Sequence, residues 1–99
     1  MPRINGIATA FCDSEVAKPK LSPNQKGGCA GCIAVDPNKI PYGTHIKVYK
    51  KGTYDLLYEG IACDKCGAAC KYDGYLVDVW FENNKKCNEW GKKEVTIDF

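Results

Sequence analysis

The run YLVDVWF at residues 75–81 alternates with a period of two, the pattern of an extended strand. Side chains leave a strand on opposite faces in turn. Tyr75, Val77, Val79 and Phe81 therefore share one side, and Leu76, Asp78 and Trp80 the other. The first set reads as core. Asp78 sits on the second face between an aliphatic side chain and an indole, where partial desolvation disfavours the charged carboxylate. Such a group is a candidate acid. The plainer alternative is an exposed strand aspartate paired with a nearby lysine.

The rest of the chain reads as more strands of the same kind, divided by turns. INGIATAFC at 4–12 mixes β-branched and small residues as a first strand does, and residues 13–28 fill with Pro, Lys, Ser and Gly as a long surface loop. A second strand, IAV at 33–35, stops at Asp36-Pro37. Pro41 and Gly43 then turn the chain into THIKVYK, where Ile46 and Val48 alternate with polar neighbours. YDLLYEGIAC within 53–63 makes a fourth strand, YLVDVWF a fifth and VTIDF at 95–99 a last. Between the last two, NNKKCNEWGKK offers an asparagine to cap a helix of about two turns and Gly91 to end it. Six strands and one short helix predict an all-β (mainly β) fold, a small barrel, formed by a single domain over residues 1–99.

Charge and hydropathy remove several classes of function. The formal net charge is +2, and the lysines gather only in doublets such as Lys50-Lys51, Lys85-Lys86 and Lys92-Lys93. Carboxylates nearly balance them, which predicts a solvated surface and no nucleic-acid partner. No apolar run approaches the roughly 20 residues that span a bilayer, so no transmembrane segment is expected. The first residues lack both the basic and the apolar parts of a secretory signal.

Seven cysteines in 99 residues exceed ordinary usage. Cys29-x-x-Cys32 and Cys63-x-x-Cys66, with Cys70 just after, have the spacing of a four-thiolate zinc site. The same residues serve as disulfide staples of a secreted protein, the reading preferred over zinc, or as free thiols. Cys12 and Cys87 lie outside both clusters and could pair across the first strand and the helix, though sequence does not give connectivity. The single histidine, His45, sits on the IKV strand, where an exposed or structural role is expected rather than partnership with a nucleophilic cysteine.

The order of these pieces resembles the three-aspartate, or 3D, domain family, which is related to the barrel of membrane-bound lytic transglycosylase A. The likeness is carried by ATAF at 8–11, IAVDPNKIPYGTHIKV at 33–48, the DxxGAA segment from Asp64, LVDVWF at 76–81 and NEWGKKEVTI at 88–97. It implies a six-stranded double-psi β-barrel and cleavage of peptidoglycan (murein) as a lytic transglycosylase. It also implies Asp78 as general acid/base, with Asp64 and Asp36 in supporting roles. Attack by the C6 hydroxyl of the N-acetylmuramic acid itself would give a 1,6-anhydro product, so no water-activating carboxylate and no cofactor are required. Structural zinc stays an option for the cysteines. The expected setting is the cell envelope or the exterior, in a secreted or phage-derived protein.

The loop after Asp64 departs from the family's Asp-Thr-Gly-Gly-Ala-Ile-Lys-Gly. It reads DKCGAACKYDG, where Gly67, Ala68 and Lys71 still fit. Apposition of Asp64 and Asp78 then requires the added residues to loop out. Gly67 and Lys71, with Trp80 as a stacking surface, are the expected substrate-binding residues. Ser14, Lys18 and Lys20 are further candidates in the first loop. Tyr42, Tyr72, Tyr75 and Trp90 read as core or loop anchors. Substrate then lies in an open cleft, or a partner domain or a second copy completes its wall. Two other functions fit the same residues: an inactive module that binds cell wall or glycan, and a cysteine-stabilised structural domain.

Overall fold

The computed structural model describes residues 2–12 and 31–99. Its six strands are β1 (Arg3–Phe11), β2 (Cys32–Val35), β3 (His45–Lys50), β4 (Leu56–Lys65), β5 (Leu76–Trp80) and β6 (Lys93–Asp98). They close into a barrel in the order β1-β5-β2-β4-β3-β6. The β1–β5 and β2–β4 pairs are parallel, and β2–β5, β3–β4, β3–β6 and β1–β6 are antiparallel. Closure gives every strand two hydrogen-bonded neighbours, so short strands leave no open edge. This is the mainly-β, six-stranded barrel expected from the sequence.

The interior is filled by the alternate residues of each strand. Ala8, Ile33, Val35, Ile46, Val48, Ala62, Val77, Val79, Val95 and Ile97 form one buried cluster, and Ile40 joins it from the β2–β3 connection. The faces read from YLVDVWF hold. Val77 and Val79 are fully buried, while Tyr75 and Phe81 pack against the same cluster. Each such valine contributes roughly 1.5–3 kcal/mol by leaving water.

Strand crossings inside so small a barrel are close. A Cβ placed on Gly60 would stand 2.1 Å from the carbonyl oxygen of Gly31, which accepts a 2.8 Å hydrogen bond from the Ile61 N–H. Gly6 is similarly pressed, its Cβ position lying 2.5 Å from the Tyr75 carbonyl oxygen. Glycine at these two places is a requirement of backbone approach.

Among the described residues two helices decorate the barrel, α1 (Gly67–Lys71) and α2 (Asn84–Trp90). The expected helix before the last strand is α2. Asn83 caps it, its Oδ1 accepting from the Lys86 N–H at 2.9 Å, and Gly91 ends it with φ at 69°. The sequence gives no warning of α1. Five residues, GAACK, are too few to show a helical period. At the other boundaries, β1 starts one residue earlier than read, at Arg3, and β4 runs past Cys63 to Lys65. The expected loop at 13–28, with Ser14, Lys18 and Lys20, lies outside the described residues, as does Cys29. Among the described residues no helix is long and apolar enough to cross a membrane.

Candidate functional site

Strand register assembles the site on the outer face of the barrel. Thr9 on β1 pairs with Asp78 on β5, Asp78 pairs with Ala34 on β2, and Ala34 pairs with Asp64 on β4. In-register neighbours project from the same face, so the four side chains form one row across four adjacent strands. Asp64 and Asp78 thus stand two strand spacings apart, roughly 10 Å between backbones, with only the methyl group of Ala34 between them.

A β-bulge makes this row. Ile33 pairs with Ala62, but the next residue, Ala34, pairs with Asp64, so Cys63 is passed over. Without the extra residue Cys63 would face Ala34, and Asp64 would be carried one place on, towards the core side. Cys63 is instead bonded to Cys32, with Cα atoms 5.6 Å apart, which ties β2 to β4 beside the bulge.

The row is set in apolar surroundings. Ala34, Leu76, Phe11, Cys32, Cys63, Cys66 and Ala69 form a second buried cluster, with Ile7 and Trp80 packed against it. Leu76 and Trp80 flank Asp78 along β5 as expected. Asp78 itself is half-buried, while Asp64 is buried and its Oδ1 accepts from the Lys65 N–H at 2.8 Å. The Thr9 hydroxyl donates to Asp78 Oδ1 at 2.9 Å, which fixes the carboxyl's orientation. Sequence reading missed Thr9. Its only signal is a hydroxyl in the middle of ATAF, and its partner comes from a parallel pairing nearly 70 residues away.

Asp36 is buried at the end of β2, where its Oδ1 accepts from the Asn38 N–H at 3.0 Å and its carbonyl accepts from Lys39 and Ile40 at 2.9 Å each. It shapes the turn that leaves β2. Gly67 and Lys71 are exposed at the two ends of α1, and a Cβ on Gly67 would meet nothing within 4 Å. Neither is brought into the row.

The segment between Asp64 and Asp78 forms α1, whose Ala69 packs into the apolar cluster, and then an exposed turn at 72–74, which Lys39 pins. Its ammonium donates to the Tyr72 carbonyl at 3.0 Å and to the Gly74 carbonyl, and lies 5.7 Å from the centre of the Tyr75 ring. At the other end, the Cys66 N–H donates to the Val35 carbonyl at 2.8 Å. The lengthened loop is thereby anchored at both ends, and β4 and β5 keep the register that forms the row.

The cysteine set is divided. Cys32 and Cys63 hold each other, so neither sulfur is a thiolate, and among the described residues no three His, Cys, Asp or Glu side chains are grouped to hold a metal. Cys66 and Cys70 are free thiols, Cys66 buried and Cys70 exposed. Burial first, and the nearby charge of Asp78 among the further causes, push the Cys66 thiol above its ordinary range. The thiol therefore stays protonated beside the acid. Cys12 and Cys87 are both buried, and the Cys12 Sγ donates at 2.9 Å to Oδ1 of Asn84, on the helix that carries Cys87. His45 is exposed, with Nε2 at 2.7 Å from Glu59 Oε2.

No curated protein matches the chain. A family model described as the 3D domain matches residues 31–99, a span that includes β2 to β6 and both Asp64 and Asp78. On that match, which covers more than half of its length, the chain belongs to the 3D domain family.

Proposed function

We propose that the protein cleaves peptidoglycan as a lytic transglycosylase, with Asp78 as general acid and then base. The observation that carries this reading is the row Thr9–Asp78–Ala34–Asp64: a half-buried, oriented carboxyl with a second carboxyl across a single small side chain. A family consistent with peptidoglycan-related barrels supports it.

Cleavage between N-acetylmuramic acid and N-acetylglucosamine needs a proton on the leaving oxygen. Because the Thr9 hydroxyl donates to Oδ1, the proton of the acid form belongs on Oδ2. That proton passes to the glycosidic oxygen as the bond to the anomeric carbon breaks. The C6 hydroxyl of the same muramic residue attacks the anomeric carbon and gives its own proton to Asp78. The products are a 1,6-anhydro sugar and a free hydroxyl on the departing sugar. Asp78 ends as it began, and no water is consumed. Leu76 and Trp80 flank Asp78 along β5 and limit the water that reaches its carboxyl, with Asp64 across Ala34. Positive charge that develops at the anomeric carbon is stabilised by the same carboxylates.

The Cys32–Cys63 bridge fits an oxidising setting, the cell envelope or the exterior. The test is release of 1,6-anhydro muropeptides from purified cell wall, read by mass spectrometry for wild type and Asp78→Asn. Release by wild type alone supports the assignment. Equal release by the variant removes Asp78 as the acid, and binding without release by wild type makes the protein a glycan-binding module.

A further inference from the structure

Beyond the row of carboxyls, a pocket of about 370 Å³ opens where β5 runs into α2. That volume lies within the roughly 300–1,000 Å³ of small-molecule sites. Tyr58, Trp80 and Phe81 line it, with Glu59, Glu82 and Lys86. Trp80 belongs to both places: it lines this pocket and shares the face of Asp78, two residues along β5 and so about 7 Å away. That spacing is of the order of one pyranose unit.

We infer that this pocket is a saccharide subsite, which holds the hexosamine next to the one attacked. The inference rests on the proposed reading for its place in a glycan-cleaving groove. Its chemistry rests on the lining. Pyranose rings present a C–H face that packs on aromatic rings, and hydroxyls at the edge that donate to carboxylates. The pocket supplies both. Phe81 is held edge-on to Tyr58, with ring centres 5.5 Å apart, and the Tyr58 hydroxyl donates to the Trp80 carbonyl at 2.7 Å, so the walls are fixed in advance.

Charge selects the occupant. Glu82 is paired with Lys86, and Glu59 with His45. Glu82 is offset by Lys86, while Glu59 has, among the described residues, only a histidine partner, so the lining repels an anionic ligand, and the hydroxyls and amide of a neutral N-acetylhexosamine donate to both carboxylates. A neighbouring depression shares Phe81 and Lys86, but the ammonium of Lys93 lies 4.1 Å from the centre of its Trp90 ring. The sugar is therefore assigned to the side of Trp80.

The experiment is a titration of the β-1,4-linked N-acetylglucosamine tetramer into nitrogen-15-labelled protein, wild type and Asp78→Asn alike, followed by amide and indole shifts. The expected result is that Gly31, Glu59, Phe81, Glu82 and the Trp80 indole move, and that Glu82→Gln weakens binding about tenfold, close to 1.4 kcal/mol. Shifts confined to Thr9, Ala34, Asp64 and position 78, unchanged affinity in Glu82→Gln, or no binding at all would each overturn the subsite. Release of anhydro muropeptides by wild type in those cases leaves the cleavage reading standing. Shifts in the pocket without any release from cell wall uphold the subsite and remove the cleavage.

Discussion

Thr9 Oγ1 donates to Asp78 Oδ1 at 2.9 Å across the parallel β1–β5 pair. The contact orients the carboxyl and reserves one of its oxygens. Thr9→Val keeps shape and strand propensity but removes the donor. Release of anhydro muropeptides should fall about tenfold, ~1.4 kcal/mol in the barrier, while urea unfolding shifts by no more than about 1 kcal/mol. Thr9→Ser should restore most of the rate, which a purely structural role of the methyl group would not allow.

The thiol of Cys66 is raised above its ordinary value of 9.0, by burial and in part by the charge of Asp78. Between the unfolded and folded values the native state keeps a proton that the unfolded chain has lost. Stability from this source is therefore complete below about pH 9 and declines as pH rises through the folded value. Denaturant midpoints from pH 7.5 to 10.5 should show this fall, and Cys66→Ala should reduce its slope. Alkylation gives a second reading. Iodoacetamide should modify Cys70 ahead of Cys66 at pH 8, and Asp78→Asn should speed modification of Cys66. An unchanged rate in that variant would mean that the acid's charge does not reach the sulfur.

The Cys32–Cys63 bridge spans 31 residues. In the chain-entropy view, closure of a loop of that length is worth about 3–4 kcal/mol. Cys32→Ala with Cys63→Ala should lower the unfolding free energy by about that amount. A larger effect is expected on activity, because the bridge flanks the bulge that presents Asp64. Wild-type activity at temperatures where the variant remains folded would show that strand pairing alone holds the register.

Gly60→Ala puts a methyl group against the Gly31 carbonyl. The cost should be about 2–3 kcal/mol, or failure to accumulate as folded protein. Gly67→Ala, where the added carbon meets nothing within 4 Å, should be tolerated and serves as the control.

Much of the barrel was legible in the chain because each strand announces itself within a few residues. Alternation in YLVDVWF separated Val77 and Val79 from Asp78 before any fold was known, and Asn83 and Gly91 bounded α2. Longer-range facts were not. Nothing local in CIAV and GIACDK says that Cys63 is skipped so that Asp64 meets Ala34. Thr9 reaches Asp78 only through a pairing between distant segments. The five residues of α1 were too few to show a period. Asp36 is legible as part of the motif, but its duty as a turn former is visible only in its hydrogen bonds. The spacing of the cysteines fits bridge, zinc and thiol alike, since connectivity depends on which strands become neighbours.

Lys39 stands outside the row of carboxyls, yet its ammonium gathers the carbonyls of Tyr72 and Gly74 at the far end of the loop from Asp64 to Asp78. Ala69 of α1 is packed in the cluster around the acids, but residues 70–74 are exposed, and changes of length there are taken up in solvent. The segment is thus a tolerant site for inserted sequence, at which a relative of this barrel can vary what it shows to the outside while its reactive face stays in place.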